Sequence, residues 1–145
     1  MKTNLKILPI AELNKFAKNT MLETLGIKIT GVGADYVEAT MPVDARTHQP
    51  YGILHGGASV ALAESLGSIG GMLTTDSSKF NCVGIEINAN HIKAVRSGIV
   101  TGRAIPIHLG RSTQVWHIEI KNEQSEPVCV SRLTMAVVPV TNKTR

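Results

Sequence analysis

Glu64 is the one charged side chain in the run from Gly56 to Thr75, which otherwise holds glycines, hydroxyl residues and aliphatics. Burying a carboxylate in such surroundings costs several kcal/mol unless it is protonated, paired or hydrogen-bonded. It therefore has a structural partner or a chemical task. The task that fits is proton transfer to, or direct attack on, an electrophilic carbon, for which enzymes use partly desolvated carboxylates. Ser68 follows one helical turn later on the same face, placed to hold a water or the carboxylate, or simply to pack. His55-Gly56-Gly57 opens the run. Free backbone N–H groups and a positive dipole end collect where a helix begins, and glycine lets a ligand approach the backbone. An oxyanion forming there, two turns before a carboxylate, is an acyl-transfer arrangement. Gln49, in the segment just upstream, adds an amide that can orient a substrate. Read singly, HisGlyGly serves equally well as a tight turn against a sheet, and Glu64 as half of an ion pair or an interface group.

These residues need a frame. Gly57 to Leu73 is apolar on every side, which predicts a helix of about 25 Å buried all round. Ile10, Leu13, Phe16 and Ala17 predict a short amphipathic helix from about residue 10 to 20. Leu25–Thr30 and Asp35–Val43 read as strands separated by a Gly31-Val32-Gly33 turn, with Pro42 closing the second and residues 44–55 forming a loop. Four further strands follow the long helix: Cys82–Ile92, Ile99–Ile107, Thr113–Lys121 and Pro127–Val138. They lie too close in sequence for parallel crossovers. One antiparallel sheet curled around one long central helix is the economical solution, an α+β fold of hot-dog type. The 145 residues make one domain, 1–145, of which about 1–23 form an N-terminal extension with a short helix.

Composition narrows the partners. Aromatic residues are 3% of the chain, too few for base-stacking platforms, and the net charge of +4 is scattered, so a small anionic ligand is expected and nucleic acid is not. Charged residues are 18%, which hints at surface given over to contacts between copies. Cys82 and Cys129 form no metal-ligand spacing, so no metal is expected and a reduced, cytoplasmic setting is. Glu64 and three serines interrupt the one run that resembles a membrane span, so no membrane is expected either. His48 and His117 lack metal-ligand companions, and Trp116 is expected to pack.

The stretch QPYGILHGGASVALAESLGS (49–68) resembles the signature of hot-dog acyl-CoA thioesterases of the phenylacetate/4-hydroxybenzoyl-CoA type. EATMPVDART (38–47), GIEINANH (84–91) and HLGRSTQVWHIEI (108–120) extend the similarity from about Leu25 to Val138. It is most like the branch holding the 1,4-dihydroxy-2-naphthoyl-CoA thioesterases of menaquinone synthesis and the enterobactin proofreading thioesterases. The resemblance implies hydrolysis of an aromatic or medium-chain acyl-CoA. Glu64 would be general base or nucleophile, the Gly56 N–H would bind the thioester oxygen, His55 and Gln49 would orient the thioester, and Ser68 would hold the water. Gly84, His91, Ile92, Lys93 and Ala94, with His108, Leu109, Gly110, Arg111, Ser112 and Thr113, would contact the CoA half. Lys93, Arg96, Arg103 and Arg111 would supply charge for its phosphates. No cofactor is implied beyond coenzyme A as part of the substrate. Active sites of this family lie between subunits, which implies a homo-oligomer, a dimer or dimer of dimers (homotetramer). Lys93-Ala94-Val95 departs from relatives that carry Arg-Ser there, and Ser68–Met72 is a variable stretch; both bear on specificity. An acyl-thioester dehydratase would need a histidine on the helix face, where none sits. A non-catalytic acyl-CoA-binding module would gain nothing from Glu64.

Overall fold

Three glycines at helical spacing, Gly67, Gly70 and Gly71, decide how the long helix meets the sheet. In the computed structural model, which describes residues 5–141, this helix is α3, Gly56–Thr74. A Cβ on Gly70 would stand 2.5 Å from the Trp116 ring, and one on Gly67 2.5 Å from Leu133 Cδ2. The bare backbone is what lets α3 lie that close. Two short helices, α1 (Ile10–Lys15) and α2 (Met21–Leu25), precede two strands, β1 (Lys28–Val32) and β2 (Val37–Pro42). After α3 come β3 (Phe80–His91), β4 (Ile99–Leu109), β5 (Thr113–Lys121) and β6 (Pro127–Pro139). The strands form one antiparallel sheet in the order β1-β2-β4-β5-β6-β3.

Strict alternation makes one face of this sheet the core. Val37, Ala39 and Met41 of β2, Val100 and Ala104 of β4, and Trp116, Ile118 and Ile120 of β5 are all fully buried. Their neighbours along each strand face outward. Ala58, Leu62, Ala63, Leu66 and Leu73 of α3 complete the core from the helix side. The expected α+β hot-dog architecture, an antiparallel sheet with one long helix against it, is the observed one.

Three expectations are corrected. The helix is not buried on all sides. Val60, Ala61, Glu64, Ser65, Ser68, Ile69 and Met72 form a half-exposed stripe, because a sheet covers one side of a helix and only short α2 approaches the other. The single helix expected over about 10–20 is two. Thr20 caps α2 by accepting from the Leu22 N–H at 3.2 Å, and Gly26, at φ 71°, ends it in the left-handed conformation. Leu25 therefore belongs to α2, and the first strand starts at Lys28. That strand runs on to Val32, so the turn is at Gly33, whose N–H bonds to Tyr36 O, and not at Gly31–Gly33.

Edge strand β3 pairs with β6 alone; Cys82, Ile87 and Ala89 pack partly buried toward α3 and the core, while its free edge leaves Ile85 62% accessible. Among the described residues no helix is long and apolar enough to cross a membrane.

Gly70→Ala tests the close approach. Alanine favours a helix by about 1 kcal/mol over glycine, whereas forcing a methyl against Trp116 costs about 1–3 kcal/mol. A lowered urea midpoint is expected, and a raised one would show that the helix has room to move.

Candidate active site

The segment between β2 and α3 is drawn into a tight shape by Thr47, which is buried. Its hydroxyl donates to Pro42 O at 2.8 Å and accepts from the Asp44 N–H, while its carbonyl receives the His55 N–H at 2.8 Å. A bridge between His48 and Leu54 closes the loop, and His48 Nε2 donates to Arg96 O at 2.9 Å. Asp44 holds Arg46 through two hydrogen bonds, to Nε at 3.1 Å and Nη2 at 2.7 Å. The Arg46 side chain, then its backbone N–H, bring the Asp44 carboxyl down to about 2. The loop is thereby a fixed support for Gln49 and His55.

His55 is the N-cap of α3. Its Nδ1 accepts the Gly57 N–H at 2.8 Å, and its carbonyl takes the N–H groups of Ala58 at 3.0 Å and Ser59 at 3.2 Å. A neutral ring that accepts at Nδ1 carries its proton on Nε2. Of the amides that open the helix, Gly56 N–H is left without an acceptor among the described residues. Gly56 lines a cavity of about 250 Å³ together with Gln49, Ser59, His91, Ile92, Lys93 and Ala94. The His91 ring lies directly on Gly56: a Cβ there would be 2.7 Å from Nε2. Six of the expected site residues thus meet at one place, and His55 stands beside them at the helix cap.

Glu64 stands elsewhere. It is half-exposed and has neither a hydrogen bond nor an ion pair among the described residues, so no cation partner accounts for it. Its Oε1 lies over Gly84 of β3, where a Cβ would come within 2.7 Å. Glu64 and Ser68 share a second cavity, of about 350 Å³, with Phe16, Thr20, Met21, Leu22, Ala61, Ser65 and Ile69. Ser65 donates to Ala61 O at 2.7 Å, whereas the Ser68 hydroxyl has no partner among the described residues. The arm residues Phe16 to Leu22 were missing from the expected site, which began at Gln49. Their signal in the sequence is apolar side chains near the N-terminus, two of which, Phe16 and Met21, the core does not use.

One chain does not bring all the candidates together. Eight residues of α3 separate Gly56 from Glu64, a rise of about 12 Å. His108, Leu109, Gly110, Arg111, Ser112 and Thr113 lie at the far end of α3, where Gln114 Nε2 donates to Thr74 Oγ1 at 3.0 Å. That is about 27 Å from Gly56. There, the Gly110 N–H donates to Thr113 O and Ser112 O accepts from the Val137 N–H, each at 2.9 Å. Two of the expected phosphate cations are already engaged. Lys93 bonds Glu126 at 2.6 Å and holds its carboxyl below the usual range, with help from Asn122. Arg103 stacks on Tyr36 at 3.7 Å, on the opposite face of the sheet from α3. Arg96 and Arg111 have no ion pair among the described residues. Cys129, whose thiol burial pushes up, and Trp116, bonded to Gln114, are packing residues. No group of three potential metal ligands occurs among the described residues.

The profile of the thioesterase superfamily matches residues 51–129. The proofreading thioesterase EntH of Cronobacter turicensis is 54% identical over 87% of this chain and 91% of its own. The 1,4-dihydroxy-2-naphthoyl-CoA hydrolase of Escherichia coli K12 is 51% identical over 87% of this chain and 92% of its own. The crystal structure of thioesterase HI1161 from Haemophilus influenzae superposes with a TM-score of 0.92 at 48% identity, covering 99% of each chain.

The loop support has a pH signature. Asp44 has a folded value of about 2 against an ordinary 3.8, so its contribution to stability is complete above about pH 4 and is lost as the pH falls towards 2. Asp44→Asn is therefore expected to melt lower than wild type at pH 6, with the gap closing between pH 4 and 2. A gap independent of pH would mean that the charge of the Asp44 carboxylate is not what holds the loop.

Proposed function

The chain belongs to the thioesterase superfamily and is a thioester hydrolase, and on that premise we propose that it hydrolyses an aromatic acyl-CoA, with Glu64 activating the attacking water. The observation that carries this is the Glu64 carboxylate itself, on an apolar cavity beside the Ser68 hydroxyl, neither of them with a partner among the described residues. In the proposed reaction the water oxygen adds to the thioester carbon as Glu64 takes a water proton. The thioester oxygen becomes an oxyanion held by the Gly56 N–H at the positive end of α3. Collapse breaks the carbon–sulfur bond, and the leaving thiolate takes back the proton that Glu64 removed from the water, giving the free acid and CoA with Glu64 again ionised. Gln49 and the His55 Nε2–H orient the thioester from the loop. If Glu64 instead attacks the carbon itself, the thiolate leaves and a transient anhydride forms; where water then opens that anhydride at the Glu64 carbonyl, a single turnover in ¹⁸O-water puts label into the Glu64 carboxylate, whereas direct water attack puts it in the product acid alone.

A single thioester cannot span the separation of about 12 Å between Gly56 and Glu64. The proposed site therefore takes Gly56 from one copy and Glu64 from a second. The exposed β3 edge supports this, because a long unpaired edge is a template for another strand. Pairing two β3 strands antiparallel about a two-fold runs the two α3 helices in opposite directions. Gly56 of one copy then turns toward Glu64 of the other, and the 108–113 hairpin of the second copy comes to the end where His91–Ala94 of the first lie. The aromatic acyl group is favoured by the relative whose name prints a substrate, the 1,4-dihydroxy-2-naphthoyl-CoA hydrolase.

Thiol release across aromatic and aliphatic acyl-CoAs tests the chemistry. Glu64→Gln is expected to lower kcat by about 10²-fold or more while CoA-ester binding stays within a few-fold. Unchanged turnover would remove Glu64 from the reaction. Gly56→Pro deletes the N–H at a helix position that tolerates proline, and His55, at ψ 131°, already has the backbone that proline requires. Gly56→Ala, with the same Cβ but an intact N–H, is its control and should retain more activity. Mixing inactive Glu64→Gln and Gly56→Pro chains should restore about a quarter of wild-type activity, since half the dimers are mixed and each has one intact site. No recovery despite exchange of chains would place both groups in one chain.

A further inference from the structure

Resting on the thioesterase reading above, we infer that the N-terminal arm, α1 and α2, is the specificity element for the acyl group, with Phe16 and Met21 forming the wall that meets its far end. The arm is fastened as rigidly as a binding wall requires. Asn14 clamps α1 to β1: its Nδ2 donates to Ile29 O and its Oδ1 accepts from the Ile29 N–H, both at 2.9 Å. Leu13 is 1% exposed and anchors the arm in the core. The Glu23 carboxylate accepts the Asn19 N–H at 2.7 Å and holds the corner between the two short helices. On this fixed support Phe16 and Met21 remain 61% and 57% exposed. Neither contributes to the core cluster, yet both line the cavity that contains Glu64 and Ser68.

Large apolar side chains carried on an anchored backbone beside the Glu64 carboxylate, and unused by the core, are a surface for an apolar ligand. Their types narrow the ligand class. A phenyl ring and a thioether both gain from contact with another aromatic ring, by edge or face for phenylalanine and through sulfur for methionine. A two- to four-carbon acyl chain attacked at Glu64 would gain little from a wall made of these groups. The ligand class is an acyl thioester with a flat aromatic acyl group, and the arm reads its ring while α3 handles the thioester.

The test compares thiol release from benzoyl-CoA and butyryl-CoA by the full chain carrying Phe16→Ala, Met21→Ala or both. The double variant is expected to lower the ratio of kcat/KM for benzoyl-CoA over that for butyryl-CoA by about tenfold or more, chiefly through KM, because contacts remote from the reacting bond are made in ground and transition states alike. Met21→Leu, which keeps the bulk, should keep most of the ratio. Because both side chains are exposed, melting temperature and light-scattering mass should match wild type. An unchanged ratio, or an equal loss on both esters, overturns the inference while leaving the thioesterase reading intact. A fall in mass also overturns it, since Phe16 and Met21 would then be covered by a second copy. A wild type that releases no thiol from any acyl-CoA sinks both.

Discussion

The separation between α3 and the sheet is set by bare backbone, and the positions of the candidate catalytic groups follow from it. Gly67, Gly70 and Gly71 let Trp116, Leu133 and Met135 come up against the helix itself. Side chains at these positions would lift α3 away, and with it the Glu64 carboxylate, whose oxygen now sits over Gly84. The same device recurs in the strand below, since a side chain at Gly84 would occupy the place of that oxygen. Close packing on one side has a consequence on the other. A helix pressed onto a sheet has a flank that the sheet covers only in part, and that flank carries Glu64, above edge strand β3, and Ser68.

The choice of cap at the start of α3 follows a related logic. A helix N-terminus is usually capped by Ser, Thr, Asp or Asn. A carboxylate cap would put negative charge beside an amide proposed to receive an oxyanion, and would compete with it. The neutral imidazole of His55 satisfies the Gly57 N–H without adding charge, and its carbonyl satisfies Ala58 and Ser59. The amide left over among the described residues is that of Gly56, which lines the cavity, so capping and the proposed oxyanion would divide the orphan donors of a single helix end.

Much of this was legible in the sequence, for identifiable reasons. The boundaries of β5 were read correctly and those of α3 to within one residue at each end, because strict alternation and a long apolar run are strong, local signals. The grouping of Gln49 and Gly56 with His91–Ala94 was prepared by motifs, although their spacing alone does not reveal that the His91 ring lies on Gly56. The arm was misread where apolar periodicity at Ile10, Leu13, Phe16 and Ala17 outweighed two punctuation marks, the Thr20 cap and Gly26. Counting cations did not foresee that Lys93 would be engaged by Glu126, or that Arg103 would stack on Tyr36 on the face of the sheet away from α3. Both engagements are long-range in sequence, and nothing local announces them.

The distribution of the candidates along α3 bears on why a fold with one helix would host this chemistry at all. Acyl transfer needs an oxyanion donor and a carboxylate within a few ångströms of the same carbon, whereas one straight helix offers its free amide only at its end and its outward carboxylate two turns later. A sharp kink would bring them no closer, since it would open the contact with Trp116 and Leu133 that holds the helix down. Two copies running in opposite directions meet the requirement without distorting either. The free edge of β3 is where such a pair would join, and the 108–113 hairpin, stranded at the far end of its own helix, would then become useful to its neighbour's substrate. On the proposed reading the exposed edge, the split cavities and the two-ended set of candidate CoA contacts would be one feature of a site that a single chain only half contains.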